Sequence, residues 1–208
     1  MQVYQEITLL PEADISLGFL WQKLYQQIHI ALVEHKVADN QSHVAVGFPG
    51  YGAKGFPLGR KLRLFAPERV QLERLNIESY LSRLSDYAHL KSIQPVPETT
   101  VYASFMRYHA KGAARIEKDH QEKARRWMLK SGKPLEDCLA ELDKTRPEPA
   151  SGLPFLWIES QETKKREGGQ AQKFPMFIKK SEQSEVHKGL LTCYGLSHPG
   201  KPVALPVF

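Results

Sequence analysis

Three short stretches hold residue types able to do chemistry. His29 lies in FLWQKLYQQIHIALVEHK, residues 19–36, four positions after Tyr25 and one after Ile28. A histidine titrates near neutral pH and can give or take a proton. It is equally a common partly buried helix residue with a satisfied ring, and position alone leaves both readings open. GYGAKG, residues 50–55, matches the literal pattern GxGxxG. A dinucleotide site needs a helix opening directly after the glycines, so that its N-terminus meets the pyrophosphate. Here FPLG and a strand-like run follow, and the stretch reads as a flexible connection. His187, Cys193 and His198 are metal-capable, but their spacing fits no zinc pattern. With no Walker motif and no HExxH, neither a cofactor nor a metal is expected.

A fourth signal is electrostatic. The chain carries a net charge of +6, and residues 107–133 hold nine Lys/Arg against three Asp/Glu. Twenty of each remain elsewhere, so the whole excess sits in one segment. Such a local basic surface suits a polyanionic partner. Within it, Ile116, His120, Ala124 and Trp127 line one side of a helix, while Lys111, Arg115, Lys118, Arg125 and Arg126 cluster elsewhere. The competing reading is a solvated face, because Glu117, Asp119 and Glu122 could pair with the cations at helical spacing.

These groups need a scaffold, and 208 residues suffice for one large domain or two small ones. Two cysteines far apart, Cys138 and Cys193, suggest no disulfide framework and a reducing compartment. No run approaches a membrane span, and MQVYQEITLLPEAD lacks the basic and apolar regions of a signal peptide. A cytoplasmic location is expected.

Apolar Trp21, Leu24, Tyr25, Ile28 and Leu32 recur at helical spacing and place His29 at the edge of a buried stripe. Strands are expected at 3–10, 43–48, 60–66 and 87–97, with a helix after Pro67 in one or two pieces. The order βαββαβ is the ferredoxin-like arrangement. Pro95 and Pro97 mark a boundary, giving domains at 1–97 and 98–208. The second half reads as an irregular α/β domain: a strand at 100–109, helices at 113–130 and 134–142, and strands at 153–160 (ending at Ser160), at FPMFIKK and at LLTCYGL. RKLRLFA lacks the aromatic pattern by which ordinary RNA-recognition sheets stack bases.

Several of these pieces together resemble the repeat-processing endoribonucleases of type I-F (Csy-type) CRISPR systems. They are LLP, LYQQIHIALV, VAVGFP followed by LGRKLRL, a strand entering a basic helix, LPF leading to Ser160, FPMFIKK, and TCYGLS near the end. The resemblance implies a metal-independent enzyme, without cofactor, that cuts CRISPR precursor RNA at the base of a repeat hairpin. It also implies that the enzyme stays on the product stem-loop beside other subunits of an interference complex. His29 would match the catalytic histidine, Ser160 the serine that positions the nucleotide before the cut, and Tyr194 the tyrosine beside them. Arg107 would match a base-reading arginine, Phe174 an aromatic at the stem base, and Lys111, Arg115, Lys118, Arg125 and Arg126 the basic helix laid against the stem. Glu162 and His109 depart from the family pattern, standing where a second serine and an adenine-reading glutamine are usual. KKREGGQAQ adds basic residues after Thr163. The alternatives are a hairpin-binding module of the same fold that does not cut, or a structural subunit docking on an acidic protein.

Overall fold

The computed structural model describes residues 1–12, 14–99, 101–109, 113–145, 152–159, 172–184 and 189–208. The fold is mixed α and β with antiparallel sheets. Contacts gather into two compact units, Met1–Tyr108 with Pro154–Phe208, and His109–Leu153.

The larger unit begins with β1 (Val3–Leu9), α1 (Leu17–Glu34), β2 (Ala45–Gly47), β3 (Lys61–Ala66), α2 (Arg69–Leu75), α3 (Ile77–Tyr80) and β4 (Ala88–Leu90). The strand order is β2-β3-β1-β4, with every pair antiparallel. β5 (Gln94–Pro95) also pairs with β1, so the strand expected over 87–97 is two short strands, with residues 91–93 between them held to β1 by the Lys91 amide on the Glu6 carbonyl (2.9 Å). α1 starts at Ser16, whose hydroxyl accepts the Phe19 amide at 3.3 Å and satisfies one orphan donor of the first turn. Its stripe of Leu20, Trp21, Leu24, Ile28, Ala31 and Leu32 is buried. Each larger side chain among them contributes on the order of 2 kcal/mol by leaving water.

β6 (Tyr102–Tyr108), β7 (Phe155–Glu159), β8 (Lys173–Gln183) and β9 (Leu205–Pro206) form a second antiparallel sheet, ordered β7-β8-β6-β9. Leu156, Ile158, Met176 and Ile178 alternate inward and join the core that α1 also fills. The GYGAKG loop is followed by FPLGR and then β3, with no helix between, and it ties the two sheets: the Tyr51 hydroxyl donates to the Ile178 carbonyl at 2.9 Å.

LLTCYGL is not a strand. Leu191 makes only isolated bridges, and residues 192–196 close on themselves as a turn, with the Gly195 amide donating to Thr192 O (2.8 Å) and the Thr192 amide to Leu196 O (2.9 Å). Gly195 has φ +69°, and a Cβ there would lie 2.4 Å from Val46 Cγ2, so both backbone and space require glycine.

The smaller unit is a helical pair, α4 (Ala113–Ser131) and α5 (Leu135–Asp143). Ile116, His120 and Ala124 of α4 and Cys138 of α5 are buried in it. Among the described residues no helix is long and apolar enough to cross a membrane.

Candidate active site

The 192–196 turn brings the chain's end to the helix histidine. Its Gly195 carbonyl accepts the Val46 amide at 2.7 Å, which fastens the turn to β2. The Cys193 carbonyl then faces His29 Nδ1 at 3.0 Å. A carbonyl only accepts, so Nδ1 carries the proton and the neutral ring leaves the Nε2 lone pair available. The Tyr194 ring stacks on the imidazole, with centroids 4.2 Å apart and planes 2° from parallel. The buried Tyr25 hydroxyl donates to the Tyr194 carbonyl at 2.7 Å. Burial holds that phenol well above its ordinary pKa, so it remains a donor.

Arg107, on β6, adds a positive charge beside this stack. Its guanidinium carbon lies 5.2 Å from the Tyr194 ring centroid and 5.0 Å from that of Phe174 on β8, within cation–π range of both. The planar cation is thereby held against two aromatic rings. Burial pushes the His29 pKa below its ordinary value; the Cys193 carbonyl opposes that shift, and the Arg107 charge reinforces it. The result is an imidazole that is neutral at neutral pH, with one nitrogen committed to the backbone and the other able to accept a proton.

His29, Tyr194, Arg107 and Phe174 thus come together in the larger unit. Ser160 and Lys111 lie outside the described residues, as do Glu162, His187 and residues 164–171 of the following loop. The residue before Ser160 is held firmly: the Gln26 side chain accepts the Glu159 amide (2.9 Å) and donates to the Glu159 carbonyl (3.4 Å). Gln26 precedes His29 by three positions and therefore shares its side of α1. Sequence reasoning missed this clamp. Its one visible signal was a glutamine amid the apolar stripe; nothing local announced a partner 133 residues away.

In the smaller unit, His109 is exposed, as are Arg115, Lys118, Arg125 and Arg126 along α4. Arg115 pairs with Asp119 at 3.0 Å, Arg126 with Glu122 at 3.4 Å and Lys118 with Glu122 at 4.0 Å. Exposed pairs of this spacing are worth only about 0.3–0.5 kcal/mol, so a phosphate can displace the carboxylates. The helix shows the self-paired face that its spacing suggested, with its cations exposed.

The family model for CRISPR-associated protein (Cas_Csy4) matches residues 4–208. No curated protein matches the chain.

Proposed function

Because the chain belongs to the Cas_Csy4 family of CRISPR-associated proteins, whose membership implies CRISPR RNA processing, we propose that it is the endoribonuclease that cuts the precursor at the base of each repeat hairpin. The observation that carries this reading is the His29 ring, oriented by the Cys193 carbonyl and stacked on Tyr194. RNA supplies its own nucleophile, the 2′-hydroxyl beside the phosphate. The protein has only to align it and move protons, and alignment accounts for much of the acceleration. Nε2 of His29 takes the 2′-hydroxyl proton; the oxygen attacks the adjacent phosphorus, the P–O5′ bond breaks, and the leaving 5′-oxygen takes a proton from water while His29 returns its own to solvent. The products are a 2′,3′-cyclic phosphate and a 5′-hydroxyl, and no step calls for a metal.

Ser160 fixes the ribose in this scheme; the described residue before it, Glu159, is clamped by Gln26 of α1. Tyr194 keeps the imidazole plane, Arg107 reads a base at the foot of the stem, and Phe174 stacks beneath it. His109, Lys111, Arg115, Lys118, Arg125 and Arg126 bind the stem, chiefly through phosphates. The product stem-loop stays bound, and the protein serves as a subunit of a type I-F interference complex. The same proposal takes 1–97 as a ferredoxin-like domain and 98–208 as the hairpin-binding one. Support comes from the order β2-β3-β1-β4 and from the separate sheet built by each part.

Single-turnover cleavage of a cognate repeat hairpin tests the reaction class. Cutting is expected in EDTA. Replacing the one 2′-hydroxyl before the scissile phosphate with hydrogen should abolish cutting and spare binding. A deoxy substrate that is still cut, or a magnesium requirement, overturns the scheme.

Binding has its own test. Joint replacement of Arg115, Arg125 and Arg126 by alanine should weaken hairpin affinity. The plot of log affinity against log salt should flatten by up to about one unit for each phosphate that is no longer neutralised. An unchanged slope would remove α4 from the RNA site.

A further inference from the structure

The second sheet turns Leu156, Ile158, Met176 and Ile178 into the core; on its other face Ser104 of β6 is buried, while the β7 side leaves Phe155 and Trp157 exposed. Cross-strand partners share a face, so the open side is read directly from the register. Phe155 pairs with Phe177, and Phe177 with Tyr108, giving one aromatic row across three strands. Trp157 stands two residues along β7 from Phe155, on the same face. Phe155 is 43% exposed and Trp157 47%, high values for rings of this size. Phe155 meets the Trp157 ring edge-on at 5.9 Å and lies 5.4 Å from the Phe177 ring. Lys179 borders the row, opposite Met106. Lys173 borders the other end and pairs with Glu159 at 3.6 Å, which offsets that carboxylate. Lys179 has no carboxylate partner among the described residues.

We propose that this open face of the β7-β8-β6 sheet is a stacking platform for single-stranded RNA. The proposal extends the function given above, in which the hairpin of a precursor is flanked by unpaired nucleotides. Aromatic rings beside cations are the usual means of holding unpaired nucleic acid, because every base has a face to stack and every nucleotide a phosphate to neutralise. Spacing selects single strands over duplex. Same-face residues along a strand are roughly 7 Å apart, about twice the 3.4 Å rise between bases of a duplex strand. Splayed bases fit that spacing and stacked pairs do not. The rings alone would suit a protein interface as well; the lysines at both margins, a type depleted in such interfaces, favour RNA. The aromatic row that RKLRLFA does not provide for the first sheet is thus present on the second.

The test measures binding of a dye-labelled ten-nucleotide oligouridine and, separately, of a repeat hairpin without flanks. Trp157→Leu and Phe155→Leu keep apolar bulk on the strand while removing the ring faces; thermal melting checks that they remain folded. The wild type should bind oligouridine at low salt. The double variant should bind it about 10- to 100-fold more weakly, the scale of losing one or two stacked bases. Lys179→Gln should give a shallower salt dependence. All variants should bind the flankless hairpin as the wild type does. Unchanged oligouridine affinity in the folded double variant overturns the proposal, as does failure of the wild type to bind. So does a double variant that keeps oligouridine but loses self-association or a protein partner. If instead the wild type holds oligouridine and ignores the hairpin, the platform stands and the hairpin function fails.

Discussion

His29→Ala should slow single-turnover cleavage of the repeat hairpin by roughly 100-fold or more, the usual scale for removing an acid–base group. The protein should still fold. The ring is only partly buried, and its one hydrogen bond is to a backbone carbonyl. Losing a bond of that kind costs on the order of 1 kcal/mol. Hairpin affinity should be nearly unchanged, because the proposed scheme draws it from the cations of α4 and not from the imidazole. The wild-type pH profile provides a second reading of the same role. Burial sets the His29 pKa below its ordinary value, so the base is already deprotonated at neutral pH. Cleavage should therefore be flat above about pH 6.5 and fall only as the pH drops below that ordinary value. A variant that cuts at the wild-type rate removes His29 from proton transfer. An inflection well above pH 6.5 would contradict the neutral, backbone-anchored ring.

The second large effect is on stability. Glu6, in the middle of β1, is only 2% exposed. Its carboxylate meets Arg63, its register partner on β3, at 2.9 Å, Lys61 at 3.1 Å and Lys91 at 3.0 Å. Burial alone would raise this carboxyl, but hydrogen bonds from Lys91, Arg63 and Lys61 outweigh it and hold the pKa at about 2. The two lysines are half exposed, so solvent screens much of their attraction. Arg63 is buried, with its guanidinium carbon 3.9 Å from the Phe208 ring centroid, and it would lose its counter-charge. Glu6→Gln should therefore cost about 3–5 kcal/mol at neutral pH, as breaking a buried pair usually does. For a chain of this size that lowers the melting temperature by roughly 6–20 °C. The sign of the pH dependence follows from the depressed pKa. The stabilisation is complete above the ordinary carboxyl value of 4.5 and fades as the pH falls through about 2. Urea unfolding of both proteins at pH 7 and pH 3 checks this: the gap between them should narrow at pH 3. Equal midpoints at pH 7 would show that the cluster contributes nothing net.

What could be read from the residue order was mostly periodic. The stripe in α1, the alternation of β1 and β3, and the amphipathic α4 each declare themselves within a dozen residues, because burial on one side imposes the spacing. LLTCYGL misled for the same reason. Its apolar run looks like a strand, yet the glycine at its sixth position is needed at positive φ and closes a turn. The site was legible only through resemblance. His29 touches a carbonyl 164 residues away, and Gln26 grips a peptide 133 residues away. Neither contact leaves a mark on local pattern, and the ring sandwich around Arg107 joins residues from two strands and a turn.

The bond from His29 to the Cys193 carbonyl has an evolutionary consequence. What fixes the histidine tautomer is a peptide group, and every amino acid carries one. Position 193 can change its side chain without disturbing proton placement, provided the replacement fits a buried space of cysteine size. Drift there is tolerated chemically and policed only sterically. Two positions later the reverse holds, since Gly195 admits no side chain. In a set of homologous chains, residue 193 should accordingly vary among small side chains while 195 stays glycine, and chains lacking that glycine should also have abandoned the histidine.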